Sequence, residues 1–253
     1  MLTMPIVLVH GNPETDAIWA ELRQHLGRSD VLALSPPGFG APVPSGFGAT
    51  SDDYVAWLKA GLERIPGPID LVGHDWGGGH VVRLVNAHPE VARSWTTDIA
   101  GCFDPEYVWH ERAQVWQTPG AGEAAIAQQA AAPTARVVQR YVEAGMTRAV
   151  AESCVAAFGD DMGRCILALY RSAAQPKMAE WAADLAGVRT RPGLVIIATE
   201  DHYTGGEVLA RRTAERAGAE VAMLDGLGHW WMCQDPKRGA AAIASFVARL
   251  DAK

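Results

Sequence analysis

The sequence predicts an α/β protein in which a mostly parallel sheet of about six strands is flanked by helices and carries a helical cap insertion. Short apolar, β-branched runs alternate with segments of helical period, the pattern of a parallel sheet covered on both faces. That alternation stops between about residues 104 and 186, where strands vanish. The stretch "LVGHDWGGG", residues 71–79, runs an apolar strand through a glycine-flanked turn into a helix.

In chain order the strands are expected at Ile6 to Val9, Val31 to Leu34, Ile69 to Val72, Ser94 to Ile99, Leu194 to Ala198 and Glu220 to Leu224. Between them, Asp52 to Arg64 places Tyr54, Trp57, Leu58, Leu62 and Ile65 near helical spacing, and its acidic first turn suits the helix dipole. The same period returns over Gly77 to Ala87, Glu207 to Arg216 and Pro236 to Leu250. "SPPGFGAPVPSGFGA" is short and follows a strand, so it reads as a fixed surface loop rather than a linker. Residues 104–186 turn rich in Ala, Gln, Trp and Arg, with "TPGAGE" and "AAPT" as breaks between helical stretches. The sheet resumes at "RPGLVIIATED". Residues 1–103 and 187–253 are therefore the core, and 104–186 a helical lid over one sheet edge.

The totals narrow the function classes. At 253 residues and 49% hydrophobic content, the chain buries a large core without disulfide or metal support. A net charge of −7 argues against a nucleic-acid partner. Cys102, Cys154, Cys165 and Cys233 form no CxxC pair and no zinc spacing, so reduced, buried thiols and no metal are expected. The N-terminal apolar run has no basic flank and is too short for a signal or a span, which implies a cytoplasmic protein with no membrane partner. The sequence leaves room for a homodimer.

The chemistry sits in "GHDWG". Gly73 and Gly77, two positions either side of Asp75, permit a sharp strand-to-helix turn that pushes the central side chain into a site. Asp75 is the nucleophile candidate, and the backbone N–H of Trp76 at the helix start can stabilise an oxyanion. "VLVHGNPE" supplies the second donor, the N–H of Asn12, whose carboxamide is either a further donor to a leaving anion or a shaper of the turn. An acid and a base should follow in that order. Asp201 in "VIIATEDHY" meets the first requirement and His229 in "LDGLGHWW" the second. Asp98, at the end of the fourth strand, is the alternative acid or else a hydrogen-bonded residue at the root of the lid. Glu200 should point elsewhere, and His25, His80 and His88 read as structural or solvated.

These residues resemble the α/β-hydrolase superfamily, within it the branch of epoxide hydrolases and haloalkane dehalogenases that uses an aspartate nucleophile. "HGNPE" resembles the HGxP oxyanion motif, "GHDWGG" the nucleophile elbow, "ATED" the acid loop and "GHWW" the histidine loop. In epoxide hydrolases, cap tyrosines provide the acid at the departing oxygen. "LALYRS", with Tyr170, resembles the segment carrying the second of them; "WQTPGAGE" resembles the segment just after the first, whose place falls near Arg112 and Gln114. The tyrosine pair is thus incomplete, with Tyr107 and Tyr141 free to substitute. With the HGxP strand almost at the start of the sequence, a sheet of about six strands without the superfamily's usual first two is expected, and Ser35 stands where many relatives place an aspartate.

The resemblance implies that Asp75 forms an ester with a small apolar substrate while Tyr170 donates to an epoxide oxygen, and that His229, oriented by Asp201, then activates water. No cofactor is implied. Trp109, Trp116 and Trp181 are candidates for lining an apolar pocket or packing beneath it. Epoxide hydrolase is the main expectation. Haloalkane dehalogenase is the alternative, with Trp76 and Asn12 binding the halide and Asp98 in the place of some dehalogenase acids. A catalytically silent ligand binder of the same fold is the reading of another class.

Overall fold

The computed structural model describes residues 4–252. Its sheet has six parallel strands, β1 (Ile6–Val9), β2 (Val31–Leu34), β3 (Asp70–Gly73), β4 (Ser94–Thr97), β5 (Gly193–Ala198) and β6 (Glu220–Leu224), in the order β2-β1-β3-β4-β5-β6. The predicted strand ending at Ile99 is shorter than expected. β5 pairs with β4 only along Trp95 to Thr97, and the chain then turns into a 3-10 segment, Ala100–Phe103, which frees Asp98 from the sheet.

Period two in the strands divides the core between the two faces. Val7, Val9, Leu71, Val195 and Ile197 pack on one side, with α2 (Ser51–Leu62), α3 (Trp76–Ala87) and α10 (Gly206–Ala217). Ile6, Leu8, Val72, Leu194 and Ile196 pack on the other, with α1 (Ala20–Leu26) and α12 (Pro236–Asp251). A capping box starts α2, where Thr50 Oγ1 accepts the Asp53 N–H and the Asp53 carboxylate accepts the Thr50 N–H. Six helices lie between β4 and β5: α4 (Glu111–Gln117), α5 (Ala121–Ala131), α6 (Thr134–Glu143), α7 (Arg148–Ala157), α8 (Asp160–Ser172) and α9 (Lys177–Ala183). The remaining helix, α11 (Trp231–Gln234), precedes α12.

All four cysteines are free and buried. Among the described residues, no helix is long and apolar enough to cross a membrane. Because β2 lies to one side of β1 and β3 to the other, the strand order reverses between β1 and β3. The crevice at the carboxyl ends of strands that flank such a reversal is where open α/β sheets bind ligands. The loop of Gly11 and Asn12 leaves β1 there, and Asp75 leaves β3.

Candidate active site

Asp75 occupies a tight turn with φ 48° and ψ −131°, a left-handed backbone rare for a non-glycine residue. Its neighbours must be bare for this turn to form. A Cβ on Gly77 would be driven into the Val9 carbonyl, and one on Gly11 would lie 2.5 Å from the Asp75 side chain. The turn brings Asp75 Oδ2 within 3.3 Å of the Asn12 N–H, which donates to it. The Trp76 N–H is the first amide of α3 and has no carbonyl one turn earlier to meet. The Asn12 amide thus already reaches the carboxylate oxygen on which an oxyanion of an Asp75 ester would form.

His229 and Asp201 meet as an acid–base pair. His229 Nδ1 lies 2.8 Å from Asp201 Oδ2, and the Tyr203 N–H donates to Asp201 Oδ1 at 2.9 Å. Burial works against charge on both groups, yet their mutual attraction raises the His229 pKa and lowers that of Asp201. The Nδ1 contact leaves His229 Nε2 free, and the ring lines the same cavity as Asp75. Burial pushes the Asp75 carboxyl up to about 7, with the His229 charge pulling the other way.

Asp98 is brought to a different partner. Its Oδ2 accepts from His74 Nδ1 at 2.5 Å and from the Trp231 indole at 2.7 Å, while Oδ1 accepts the Asp75 N–H at 3.1 Å. It thus braces the elbow from beneath, with no bond to His229. The other nitrogen of His74 meets Glu14 Oε1 at 3.0 Å, and Glu14 also accepts from the Trp230 indole at 2.6 Å and from the Gly11 N–H at 3.1 Å. His74 is held as an imidazolium: burial opposes its charge, but two carboxylates raise its pKa well above the usual value. The same attraction, against burial, holds Glu14 at about 2. Glu14, His74 and His229 bring ligand atoms within 4.8 Å of one another. Both His74 nitrogens are already taken by carboxylates, so the cluster is a hydrogen-bonded brace, and it carries no metal assignment.

Two chambers meet at Asp75, His110, Tyr170, Tyr203 and His229. The inner one, of about 30 Å³, has walls of Trp76, Phe103, Trp109 and Trp181, and the outer one, of about 100 Å³, has walls of Trp116, Tyr141 and Trp230. Trp109, Trp116 and Trp181 therefore all face substrate space. Tyr170 is packed edge-on against Trp76 and Trp109 at 5.3 and 5.5 Å between ring centroids. Burial and the Asp75 charge raise its pKa well above the usual range, so it stays protonated, while the Trp76 indole and Asn12 carboxamide lie close enough to oppose that rise. Both polar atoms of the buried Asn12 side chain lack a partner at hydrogen-bonding geometry. Tyr107, by contrast, has its hydroxyl committed to the Tyr203 carbonyl at 2.9 Å, and the Tyr141 hydroxyl accepts from Gln129 at 3.2 Å.

His110 escaped the sequence reading. It caps α4, its Nδ1 accepting the Ala113 N–H at 3.2 Å, and burial together with His229 and Arg112 lowers its pKa to about 4. An acceptor Nδ1 on a neutral ring places the proton on Nε2. The ring borders both chambers, 6.4 Å from the Tyr170 ring and 5.1 Å from that of Tyr203. Its signal in the sequence is faint: a histidine three residues before Ala113, at the start of a cap helix. Glu14, likewise, gave only the final letter of "HGNPE". The structural histidines are ordinary, with His80 buried and stacked on Tyr54 at 5.0 Å, and Glu200 is exposed.

The fold and this constellation define an α/β hydrolase. A model of the alpha/beta hydrolase family matches residues 6–242, and the chain belongs to that family. Among solved structures it is similar to the haloalkane dehalogenase DbeA from Bradyrhizobium elkani USDA94, with a TM-score of 0.76 at 19% identity, over 99% of this chain and 91% of the other. It is also similar to a serine hydrolase involved in carbazole degradation, the CarC enzyme, with a TM-score of 0.70 at 18% identity, over 98% of this chain and 92% of the other. E-2-(Acetamidomethylene)succinate hydrolase gives a TM-score of 0.65 at 17% identity, over 97% and 91%. None of the curated proteins matches the chain by sequence.

Proposed function

We propose that this protein is a hydrolase acting through a covalent ester on Asp75, and that its substrate is a small epoxide. The observation that carries this reading is one cavity lined by a carboxylate at the elbow, a His229–Asp201 pair opposite it, and two proton-bearing cap groups, Tyr170 and His110. A serine at the elbow suits acyl transfer; a carboxylate suits displacement at saturated carbon, because its ester carries a carbonyl that water can attack afterwards.

In the first step an Asp75 oxygen attacks a ring carbon and the carbon–oxygen bond of the epoxide breaks. Tyr170 transfers its proton to the departing oxygen, while the His110 Nε2–H donates a hydrogen bond to it, so His110 takes the place of the missing second tyrosine. A neutral imidazole serves here as an electrophile rather than a proton source. In the second step His229 takes a proton from water, and the hydroxide adds to the ester carbonyl with the oxyanion held by the Asn12 and Trp76 amides. Collapse releases the alkoxide of the product, which takes the proton from His229, and the carboxylic acid proton on Asp75 returns to Tyr170. The sum is epoxide plus water to diol.

Asp75→Asn should release no diol from a panel of aryl and alkyl epoxides, and His229→Gln should accumulate an Asp75 ester visible by mass spectrometry. In a single turnover in ¹⁸O-water the label should enter Asp75 and not the diol. Label in the diol would overturn the ester mechanism. One observation favours haloalkane dehalogenation as a second reading: the unpartnered Asn12 carboxamide beside the Trp76 indole makes a donor pair for a halide. Bromide release from bromoalkanes without diol from epoxides would select it. Ligand binding with no ester in His229→Gln would select a silent binder.

A further inference from the structure

The outer chamber carries a charge pattern that an apolar substrate does not require. Its lining includes a single carboxylate, Asp75 at the floor, and two guanidiniums, Arg112 from α4 and Arg140 from α6. Both arginines are exposed, so the chamber reaches solvent at them. Each guanidinium lies over an aromatic ring of the chamber wall, Arg112 at 5.8 Å from the Trp116 centroid and Arg140 at 5.7 Å from that of Tyr141. That stacking keeps the two cations against the wall from two different helices.

Neither cation is neutralised by an acidic side chain of the described residues. Arg93, Arg171 and Arg212 are held by carboxylates at hydrogen-bonding distance. Arg112 and Arg140 have no ion pair and no hydrogen-bond acceptor among the described residues. Glu111 and Glu143, on the outer groove that shares these two arginines, stand beyond ion-pair distance of both guanidiniums. In a chain of net charge −7, this mouth is a local reversal of sign. Such a reversal attracts anions that the rest of the surface repels.

We propose that Arg112 and Arg140 bind an anionic group on the substrate, so that the preferred substrate carries a carboxylate or phosphate at the end remote from its reacting carbon. This rests on the reading of Asp75 as the ester-forming nucleophile. The size of the chamber supports the orientation. At about 100 Å³ it is smaller than the ~150 Å³ apolar void that accepts benzene, so a longer substrate must extend to the mouth. The anion then meets the two guanidiniums, the apolar middle lies along Trp116, Tyr141 and Trp230, and the electrophilic carbon reaches Asp75. The cations also offset repulsion between a substrate anion and the ionised nucleophile. The substrate is thereby narrowed from simply apolar to amphiphilic and anionic.

The test compares three epoxides of equal length, ending in a carboxylate, its primary amide and a phosphate monoester, with the unaltered protein and with Arg112→Gln/Arg140→Gln. The unaltered protein should favour the carboxylate or the phosphate over the amide in kcat/KM. Loss of charge-assisted bonds to two guanidiniums should lower that ratio by about tenfold or more in the variant. The KM for the favoured anion should also rise with ionic strength. Preference for carboxylate over phosphate, or the reverse, identifies the anion. No preference in the unaltered protein, or the same preference in the variant, would overturn the proposal. If no epoxide esterifies Asp75 in His229→Gln, the proposed reaction fails, and the anion subsite is then read from calorimetry with butanoate and with methyl phosphate. Heat of binding lost in the double variant supports it, and absent or unchanged binding overturns it. A melting curve of the variant establishes that these two exposed substitutions leave it folded.

Discussion

In the proposed mechanism, Asp75 joins reactivity to instability in a single residue. Folding lifts its pKa from 3.8 to about 7, so the folded protein binds the proton more tightly than the unfolded chain does. Between those two values the folded state holds more protons, and the carboxylate's contribution to stability falls as pH rises through the window. Asp75→Asn removes this cost. It should raise the melting temperature at pH 8 and leave it nearly unchanged at pH 3, with a gain on the order of 1–3 kcal/mol, discounted because the carboxylate still faces the cavity. Catalysis has the matching dependence. The proposed mechanism requires Asp75 ionised and His229 neutral, both conditions favour higher pH, and Tyr170 stays protonated, so kcat/KM should rise through about pH 7 to a plateau. An acidic optimum would contradict the assignment of Asp75. For His110, replacement by Phe should slow formation of the Asp75 ester from an epoxide by roughly 10²-fold in stopped-flow single turnovers, the usual loss for one oxyanion donor. His110→Gln, which restores an N–H, should recover part of it.

The elbow is an element whose strain is held from several sides. Gly77 lets α3 approach β1, and Asp98, His74 and Glu14 hold the backbone on which Asp75 sits. Gly77→Ala has no room to relax, because the new methyl meets backbone rather than a flexible side chain. It should lower the denaturation midpoint and abolish turnover together. Glu14→Gln leaves the His74 imidazolium with one buried counter-charge, and breaking such a pair should destabilise by about 3 kcal/mol, measurable in urea. These braces were only half legible. The glycine spacing of "GHDWG" announced the turn, since that backbone demands bare neighbours. The role of Asp98 did not follow from its place at a strand end, because His74 and His229 are both within reach of such a position and only the three-dimensional packing assigns it to His74. The shortened β4 has the same origin: Ile99 has strand-like composition, but the Asp98 carboxylate before it is drawn under the elbow instead of continuing the sheet.

At the scale of the whole molecule, every group drawn into the proposed chemistry is a side chain or a backbone amide, so exhaustive dialysis against EDTA should leave turnover unchanged. The six parallel strands and their coverage by helices were legible in the sequence, whereas the spatial order of the strands was not. These features are written locally, in the period of apolar residues and in glycines that permit one backbone and no other. The tertiary structure alone decided what the site faces. His110 borders both chambers because a helix cap holds its Nδ1 and the fold brings its ring near Tyr170, and Arg112 and Arg140, on separate helices, become neighbours of one chamber only when α4 and α6 pack over it. Local periodicity reports which face of an element is buried; which charges share a cavity depends on contacts between residues far apart in the chain, and no local pattern encodes them.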